Sequence, residues 1–246
     1  MLYNESMQSL NSKSVLITGS SRGIGAETAI AFAKQGCDII ITFLGEISAA
    51  EQTQKKCLAN GAKSVELINL DVKSTASIRA ALKTVNLKYG GIDILVNNAG
   101  VIRWKKFESQ SDEDILDQIE TNLVGLIMFT KYALPHIKDT IINITSGSAS
   151  HPVVDLSVYC ASKYGVRGFT EVLAIETPGL NVYSVSPTMT STEMTDFHGM
   201  PADRVADVVV QTAKDGYGKP SGADIKVWEV IAQKYTSSIS SPKVIK

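Results

Sequence analysis

Residues 14–25 read SVLITGSSRGIG, a short β-branched run that leads directly into a glycine-rich turn ahead of a helical segment rich in Ala and Ile. Glycines let a backbone turn tightly and approach a phosphate closely, and the free N–H groups of a helix N-terminus favour negative charge. The spacing is a variant of G-x-G-x-x-G, and the alternative is a turn that serves only strand–helix packing. We favour phosphate binding because the turn follows the first strand. The candidate dinucleotide-binding residues here are Gly19, Ser20, Ser21, Arg22, Gly23, Ile24 and Gly25.

Six further strand-like runs follow the first one. They cover residues 38–43, 65–70, 92–96, 140–145, 181–186 and 225–228. The first five runs of the chain are nearly continuous in apolar residues, as expected for parallel strands that are buried on both faces. Helices must therefore lie between the strands.

Apolar residues recur at helical spacing in the intervals between the runs. One stripe follows Ser74, a candidate N-cap, and comprises Ile78, Leu82, Val85 and Tyr89. A second stripe comprises Ile115, Leu116, Ile119, Leu123 and Leu126. We expect each stripe to pack against the sheet. The alternation predicts an α/β fold: a doubly wound, Rossmann-type parallel sheet of about seven strands in the order 3-2-1-4-5-6-7, with helices on both faces.

Size and composition favour a single domain. The chain has 246 residues, of which 44% are hydrophobic and 20% charged, and no linker, repeat or low-complexity block divides it. We expect a flexible leader over residues 1–13 and one dinucleotide-binding and catalytic domain over residues 14–246.

Charge and cysteine usage exclude several classes of partner and site. A net charge of -1 offers no basic field to nucleic acid, and no apolar run approaches the ~18 residues of a membrane span. The three cysteines form no metal-ligand spacing and cannot all pair, which favours a reducing, cytoplasmic compartment. His136, His151 and His198 form no metal spacing either, so we expect no metal.

Three residues point to carbonyl and alcohol redox chemistry. Ser146 closes the fifth strand, and Tyr159 and Lys163 are spaced i, i+4, so they share one face of a helix. A neighbouring ammonium and an oxidised nicotinamide favour the phenolate, which brings the phenol, with an ordinary pKa of about 10, towards use near neutrality. Tyr159 would then exchange a proton with the substrate oxygen while Ser146 donates a hydrogen bond to it, and Lys163 would also hold the nicotinamide ribose. The alternative is an amphipathic core tyrosine beside a solvated lysine.

The end of the second strand bears on the choice of cofactor. Sites that select NAD place an acidic residue there, whereas this chain has Leu44, with Glu46 only slightly beyond. Arg22 offers a planar donor fork to a 2′-phosphate. We therefore predict NADP(H), with NAD(H) as the alternative.

Six motifs in order give a specific resemblance from Ser14 to about Trp228. They are TGSSRGIG, Asp71-Val72, Asn97-Asn98-Ala99-Gly100, Thr121-Asn122-Leu123, Ile144-Thr145-Ser146 and Tyr159-x-x-x-Lys163. With them the chain resembles the short-chain dehydrogenase/reductase family in its compact, classical form. The sequence departs from the family pattern at three places. Position 188 is Thr, where the family commonly has Gly, and the lid between Met194 and Pro201 is shortened. After Trp228 the usual Asp-Gly-Gly ending is missing.

The resemblance implies further site residues and roles. Asn122 would join Ser146, Tyr159 and Lys163 as a catalytic tetrad by shaping a helix bulge that holds a water in the proton relay. Asp71 and Val72 would lie along the adenine, Asn98 near the adenosine ribose, and Thr190 and Thr192 on the nicotinamide carboxamide. The implied cofactor-binding set is completed by Ala99, Gly100 and Pro187.

The resemblance also frames the functional alternatives. The leading hypothesis is an NADP(H)-dependent oxidoreductase acting on a small-molecule carbonyl or alcohol. A 3-oxoacyl-carrier-protein reductase is the runner-up, with Arg103, Lys105, Lys106 and Arg167 as candidate docking cations. A dinucleotide sensor without turnover has no need of the intact tetrad, and an epimerase usually needs a longer C-terminal part. By analogy we expect homodimers or homotetramers that pair through the two long helices flanking the tetrad.

Overall fold

The computed structural model describes residues 9–239, which form a seven-stranded parallel sheet covered by helices. The sheet order is β3-β2-β1-β4-β5-β6-β7, as predicted. Its strands are β1 (Ser14–Ile17), β2 (Asp38–Phe43), β3 (Ser64–Asn69), β4 (Ile92–Asn97), β5 (Ile137–Ile144), β6 (Asn181–Ser186) and β7 (Asp224–Lys226). A separate short parallel pair joins Thr190–Ser191 to Met200–Pro201.

The helices of the described chain follow the strands in alternation. They are α1 (Gly23–Ala33), α2 (Ser48–Ala59), α3 (Thr75–Tyr89), α4 (Asp112–Ile119), α5 (Leu126–Ala133), α6 (Ser157–Glu176), α7 (Ala202–Asp215) and α8 (Val227–Ile239). A π-helical segment, Glu120–Gly125, joins α4 to α5. The predicted cap of α3 is present, because the Ser74 side chain accepts a hydrogen bond from the backbone N–H of Ser77.

Apolar residues of the sheet divide between two cores. Val15 and Ile17 of β1 point into one core with α1, α2 and α7, whereas Leu16 points into the other with α3, α5 and α6. Because both faces are buried, a strand needs apolar residues at successive positions, which explains the continuous runs in the sequence. The order reverses between β1 and β4, so a crevice opens at the carboxyl ends of these two strands.

Three details differ from the sequence-based expectations. The last strand ends at Lys226, and Val227 and Trp228 begin α8 instead of continuing the strand. The second stripe is divided: on α4, which packs against α6, Leu116 is 55% exposed, whereas Leu126 at the start of α5 is buried as expected. Residues 1–8 of the predicted leader lie outside the described residues, but Leu10 is buried and its carbonyl accepts a hydrogen bond from Cys37 Sγ, so packing begins before Ser14.

Candidate active site

The glycine turn between β1 and α1 is held against two neighbouring strands. Gly19 has a φ of +63°, and an added Cβ there would lie 2.9 Å from the Cα of Ala99. At Gly25 an added Cβ would lie 2.5 Å from the carbonyl oxygen of Gly19. Asn98 braces the turn, since its Nδ2 donates to the carbonyls of Thr18 and Gly19 at 3.0 Å each. The turn therefore tolerates only glycine at these two positions.

A cavity of about 530 Å³ opens beside this turn, where the carboxyl ends of the central strands meet. It contains most of the residues predicted to bind the cofactor or to act in catalysis. Those that line it are Gly19, Ser21, Arg22, Gly23, Ile24, Leu44, Asp71, Val72, Asn98, Ala99, Gly100, Ser146, Tyr159, Lys163, Pro187, Thr190 and Thr192. The motifs that are scattered along the sequence thus meet in one place.

Three of the predicted residues lie behind the cavity wall. Ser20 is fully buried, and its Oγ donates to the carbonyl of Ile17 at 2.8 Å, so this hydroxyl holds the turn in shape. Gly25 provides the space that the turn needs. Asn122 is buried beneath the site. These three residues support the site from behind its lining.

Ser146 and Tyr159 both line the cavity. Ser146 lies near enough to the phenol to lower its pKa, and Ser146 Oγ accepts a hydrogen bond from the N–H of Ser148 at 3.1 Å. Tyr159 lies in the first turn of α6, so the start of this helix sets the position of the phenol beside the end of β5.

Lys163 follows one helical turn after Tyr159 and is 4% exposed. Its Nζ donates to the carbonyl of Ile144 at 2.9 Å and lies 5.7 Å from the centroid of the Tyr159 ring. The ammonium is therefore held by the last residue of β5, and the backbone of that strand fixes its position in the cavity.

Burial controls the pKa values of both groups. It raises the pKa of Tyr159 to about 12, although the hydrogen bond from Ser146 acts in the opposite direction. Burial also lowers the pKa of Lys163 from 10.5 to about 8. Desolvation therefore dominates among the effects of the protein's own groups, and Tyr159 keeps its proton at neutral pH. The lowering of the phenol pKa that we expect with an oxidised nicotinamide stays a prediction.

Asn122 fixes the loop after β4 to the helices below it. It lies in the π-helical segment, where its Oδ1 accepts the N–H of Val101 at 2.7 Å and its Nδ2 donates to the carbonyl of the same residue at 2.8 Å. The Nδ2 also donates to Ser162 Oγ at 3.2 Å. At Gly100 an added Cβ would lie 3.1 Å from Asn122 Oδ1 and 3.7 Å from Lys163 Nζ, so this glycine leaves the space between the two side chains open.

Arg22, the predicted ligand of a 2′-phosphate, is paired with a residue that the sequence reasoning missed. Its Nη1 lies 2.7 Å from Glu193 Oε2. Glu193 begins a short 3-10 helix, Glu193–Thr195, in the shortened lid. The two residues are 171 positions apart, so no local sequence signal indicates the pair. Leu44, which follows β2, is exposed and lines the cavity. The cavity therefore has a leucine at the position where we looked for an acidic residue.

The lid is folded tightly on itself. The Thr195 hydroxyl contacts the carbonyls of Thr192 and His198 at 3.2 Å and 3.0 Å, and Ser191 Oγ donates to the carbonyl of Phe197 at 2.8 Å. The lid is also held against the rest of the chain, since Met200 packs against the core that contains α1 and α7, and an added Cβ at Gly23 would lie 3.4 Å from Thr192 Cγ2. The Arg22–Glu193 pair is its ionic link to the glycine turn.

The site fits a nicotinamide dinucleotide. Glycines at the start of α1 form a cradle that a side chain would fill, and the cavity runs from this cradle to Tyr159 and Lys163. No group of His, Cys, Asp and Glu suited to hold a metal ion is found within residues 9–239. In the same part of the chain, no helix combines the length and apolar character needed to cross a membrane.

Comparisons with known proteins agree with the fold. The short chain dehydrogenase family profile matches residues 13–200. A 3-oxoacyl-(acyl-carrier-protein) reductase of Synechocystis sp. is 33% identical over 196 residues, which cover 77% of this chain and 79% of the relative. The corresponding reductase of Vibrio cholerae is 35% identical over 192 residues, which cover 76% of this chain and 77% of the relative.

A solved structure shows the same architecture with a cofactor. It is a short chain dehydrogenase from Burkholderia cenocepacia in complex with NADP, which is 29% identical, has a TM-score of 0.82, and matches over 89% of this chain and 97% of that one. The resemblance drawn from the six sequence motifs is confirmed, and the chain belongs to the short-chain dehydrogenase family.

Proposed function

We propose that this protein is an NADP(H)-dependent oxidoreductase in which Tyr159 exchanges a proton with the oxygen of a carbonyl or alcohol substrate. Membership of the family makes the chain an oxidoreductase that acts on C=O or CH–OH groups with a nicotinamide cofactor. The observation that carries the proposal is that Ser146, Tyr159 and Lys163 line the same cavity, with Lys163 Nζ 5.7 Å from the centroid of the Tyr159 ring.

Tyr159 supports the reduction of a carbonyl. The bound nicotinamide supplies the hydride or accepts it in the reverse direction. With a pKa of about 12 the phenol is protonated at neutral pH, so it can donate its proton to the oxygen on which negative charge develops. The Ser146 hydroxyl is held next to the phenol and donates to the same oxygen, so two placed donors meet that charge.

Lys163 stabilises the phenolate that remains after proton donation. Its ammonium is charged below a pH of about 8 and is held by the Ile144 carbonyl on the Tyr159 side of the cavity. A positive charge in a desolvated site lowers the energy of a nearby anion much more than it would in water. Asn122 contributes by fixing the loop after β4, which forms the opposite wall.

Three observations support NADP(H) as the preferred cofactor. The cavity is lined by Leu44 at the end of β2, where a cofactor site selective for NAD has an acidic residue. Arg22 supplies a permanently charged fork from the glycine turn. The Burkholderia relative was solved with NADP, which supports the same choice for this chain.

Tyr159→Phe tests the role of the phenol. We expect kcat to fall by a factor of about 10² to 10⁴ while the Kd for NADPH stays the same, because only the proton donor is removed. Tyr164→Phe is the matched control, since Tyr164 lies on the same helix but outside the cavity lining. Turnover retained by Tyr159→Phe rejects the assignment.

A 3-oxoacyl-carrier-protein reductase is the second candidate, because curated relatives at 33% and 35% identity carry that name.

A sensor without turnover is the candidate of another class. It does not account for Tyr159 beside Ser146 on the cavity lining, since cofactor binding alone needs no proton donor at this position. NADPH binding without turnover of any carbonyl would favour the sensor.

We also propose a homodimer or homotetramer that pairs through α4 and α6. Both helices expose large apolar residues on their outer sides, among them Leu116, Val172 and Ile175. Exposed large apolar side chains on two neighbouring helices support the proposal, because subunit interfaces cover such surface. Sedimentation of the purified protein as a monomer at micromolar concentration contradicts this proposal.

Residues from Ser14 onwards are proposed to act as one catalytic domain in the cytoplasm. The seven strands that carry the site belong to a single sheet. Cys37, Cys57 and Cys160 are free and buried, which agrees with a reducing compartment.

A further inference from the structure

Four large apolar side chains line the cavity besides the residues already described. Trp104 comes from the loop after β4, Val153 from the loop after β5, and Met189 and Met194 from the segment after β6. All four are large hydrophobic residues that remain partly exposed while lining the cavity. Exposed apolar side chains that converge from three loops mark a ligand-binding mouth, because a soluble protein otherwise keeps such surface covered.

The charged residues that line the cavity offer little to a charged substrate. Arg22 is paired with Glu193, and Lys73 Nζ lies 3.0 Å from Asp117 Oδ1. Lys163 is buried on the Ile144 carbonyl. A substrate carboxylate or phosphate would have to displace one of these partners. The polar groups that remain close to Tyr159 are hydroxyls, which suit a single carbonyl oxygen.

The candidate docking cations for a carrier protein are also largely paired within the chain. Arg103 Nη2 lies 2.7 Å from Asp117 Oδ2, and Lys105 Nζ lies 2.6 Å from Asp114 Oδ2. Arg167 is paired with Glu171 on α6 at 3.0 Å. An acidic carrier protein would therefore meet carboxylates of α4 and α6 beside these cations. The carboxylates weaken the electrostatic attraction between the cations and the carrier protein.

We propose that the substrate is an apolar ketone or aldehyde, free in solution, whose hydrocarbon part lies in the mouth formed by Trp104, Val153, Met189 and Met194. This inference rests on the proposed function. In the reaction the C=O π bond breaks, a C–H bond forms with hydride from NADPH, which is oxidised to NADP⁺, and an O–H bond forms with the proton of Tyr159. Trp104, Val153, Met189 and Met194 favour apolar substrates because they remove the hydrocarbon part of the substrate from water.

A series of methyl ketones of increasing chain length tests the inference, with NADPH as cofactor and kcat/KM as the readout. Burial of each additional methylene in the mouth should raise kcat/KM by about fourfold until the mouth is full. A ketone of equal length that ends in a carboxylate should be a poorer substrate than its uncharged partner. A 3-oxoacyl group on a carrier protein should react no faster than the same group on a small thioester, at low and at high salt.

Trp104→Ala should flatten the dependence of kcat/KM on chain length, because it removes the largest apolar surface of the mouth. Phe107→Ala is the matched control: Phe107 is an exposed aromatic of the same loop that does not line the cavity, so its removal should leave the slope as it is. The two variants are compared by the ratio of kcat/KM for a long and a short ketone.

The outcomes separate this inference from the proposed function. A flat or falling series, with Tyr159-dependent turnover of the shortest ketone, overturns the apolar substrate class and leaves the oxidoreductase intact. A large, salt-sensitive preference for the carrier-protein substrate overturns it in favour of the second candidate. NADPH binding without turnover of any carbonyl overturns both.

Discussion

The ion pair between Arg22 and Glu193 makes a sharp prediction about cofactor selection. If Arg22 binds the 2′-phosphate of NADP(H), the phosphate must compete with Glu193 for the same guanidinium. Replacing Glu193 with Gln frees Arg22 in advance, so the affinity for NADPH should rise. The affinity for NADH should not change, because NADH carries no 2′-phosphate.

The size of the effect follows from the exposure of the pair. The side chains of Arg22 and Glu193 are 64% and 57% exposed, so water screens their attraction in spite of the 2.7 Å contact. Exposed pairs of this kind contribute about 0.2–1 kcal/mol. The Kd for NADPH should therefore fall by at most about fivefold, since 1.36 kcal/mol corresponds to a factor of ten. The gain should shrink at high salt, where charges on the surface are screened.

Titration of NADPH and NADH into the apoenzyme, followed by calorimetry, measures the effect directly. In an Arg22→Ala background, Glu193→Gln should have no effect on either cofactor. Asp196→Asn is the matched control, because Asp196 lies in the same lid, forms no ion pair among the described residues, and has a φ of +47° that Asn tolerates. An equal gain for NADPH and NADH, or a gain that persists without Arg22, refutes the competition.

Three further predictions follow from the packing. Gly25→Ala should abolish cofactor binding, measured by calorimetry, and lower the stability by about 1–3 kcal/mol, because its Cβ would lie 2.5 Å from the Gly19 carbonyl oxygen. Lys163→Met should show how burial of the lysine affects stability. The unfolded chain binds a proton at Lys163 between pH 8 and 10.5 that the folded chain releases, so wild-type stability, measured by urea unfolding, should rise relative to the variant by up to about 3 kcal/mol over this window. A constant difference between the two proteins would show that burial does not shift this lysine. Ile175→Glu, at a position that is 79% exposed on α6, should yield a monomer in sedimentation that still binds NADPH.

The fold was predictable because its information is local. The runs that became β1 to β5 are nearly continuous in apolar residues, and the helical stripe from Ile78 to Val85 faces the core as expected. The stripe on α4 was placed wrongly, since periodicity shows that a face is apolar but not what covers it. Here Leu116 is turned outwards, on the surface that we propose to be shared with a second subunit.

The candidate site was predictable only in part. Motif order brought Ser146, Tyr159 and Lys163 together, because strands in parallel order present their carboxyl ends at one edge. The direction in which the Tyr159 pKa moves was not predictable, because it depends on how completely the protein surrounds the phenol. The partner of Arg22 was also hidden, since a contact between residues 171 positions apart arises only when the lid folds back over the glycine turn.

The strengths of the contacts in the site indicate which part of it moves. Lys163 is fixed by a buried hydrogen bond to Ile144, and Asn122 by two bonds to Val101. Buried polar contacts are expensive to break because the freed groups remain unsatisfied. Glu193 of the lid is joined to the glycine turn by an ion pair that is open to water and costs little to separate, whereas Met200 at the base of the lid packs against the core. We therefore expect cofactor exchange to displace the segment around Glu193 while Asn122 and Lys163 keep their positions, so that the reacting groups need no rearrangement when the substrate enters.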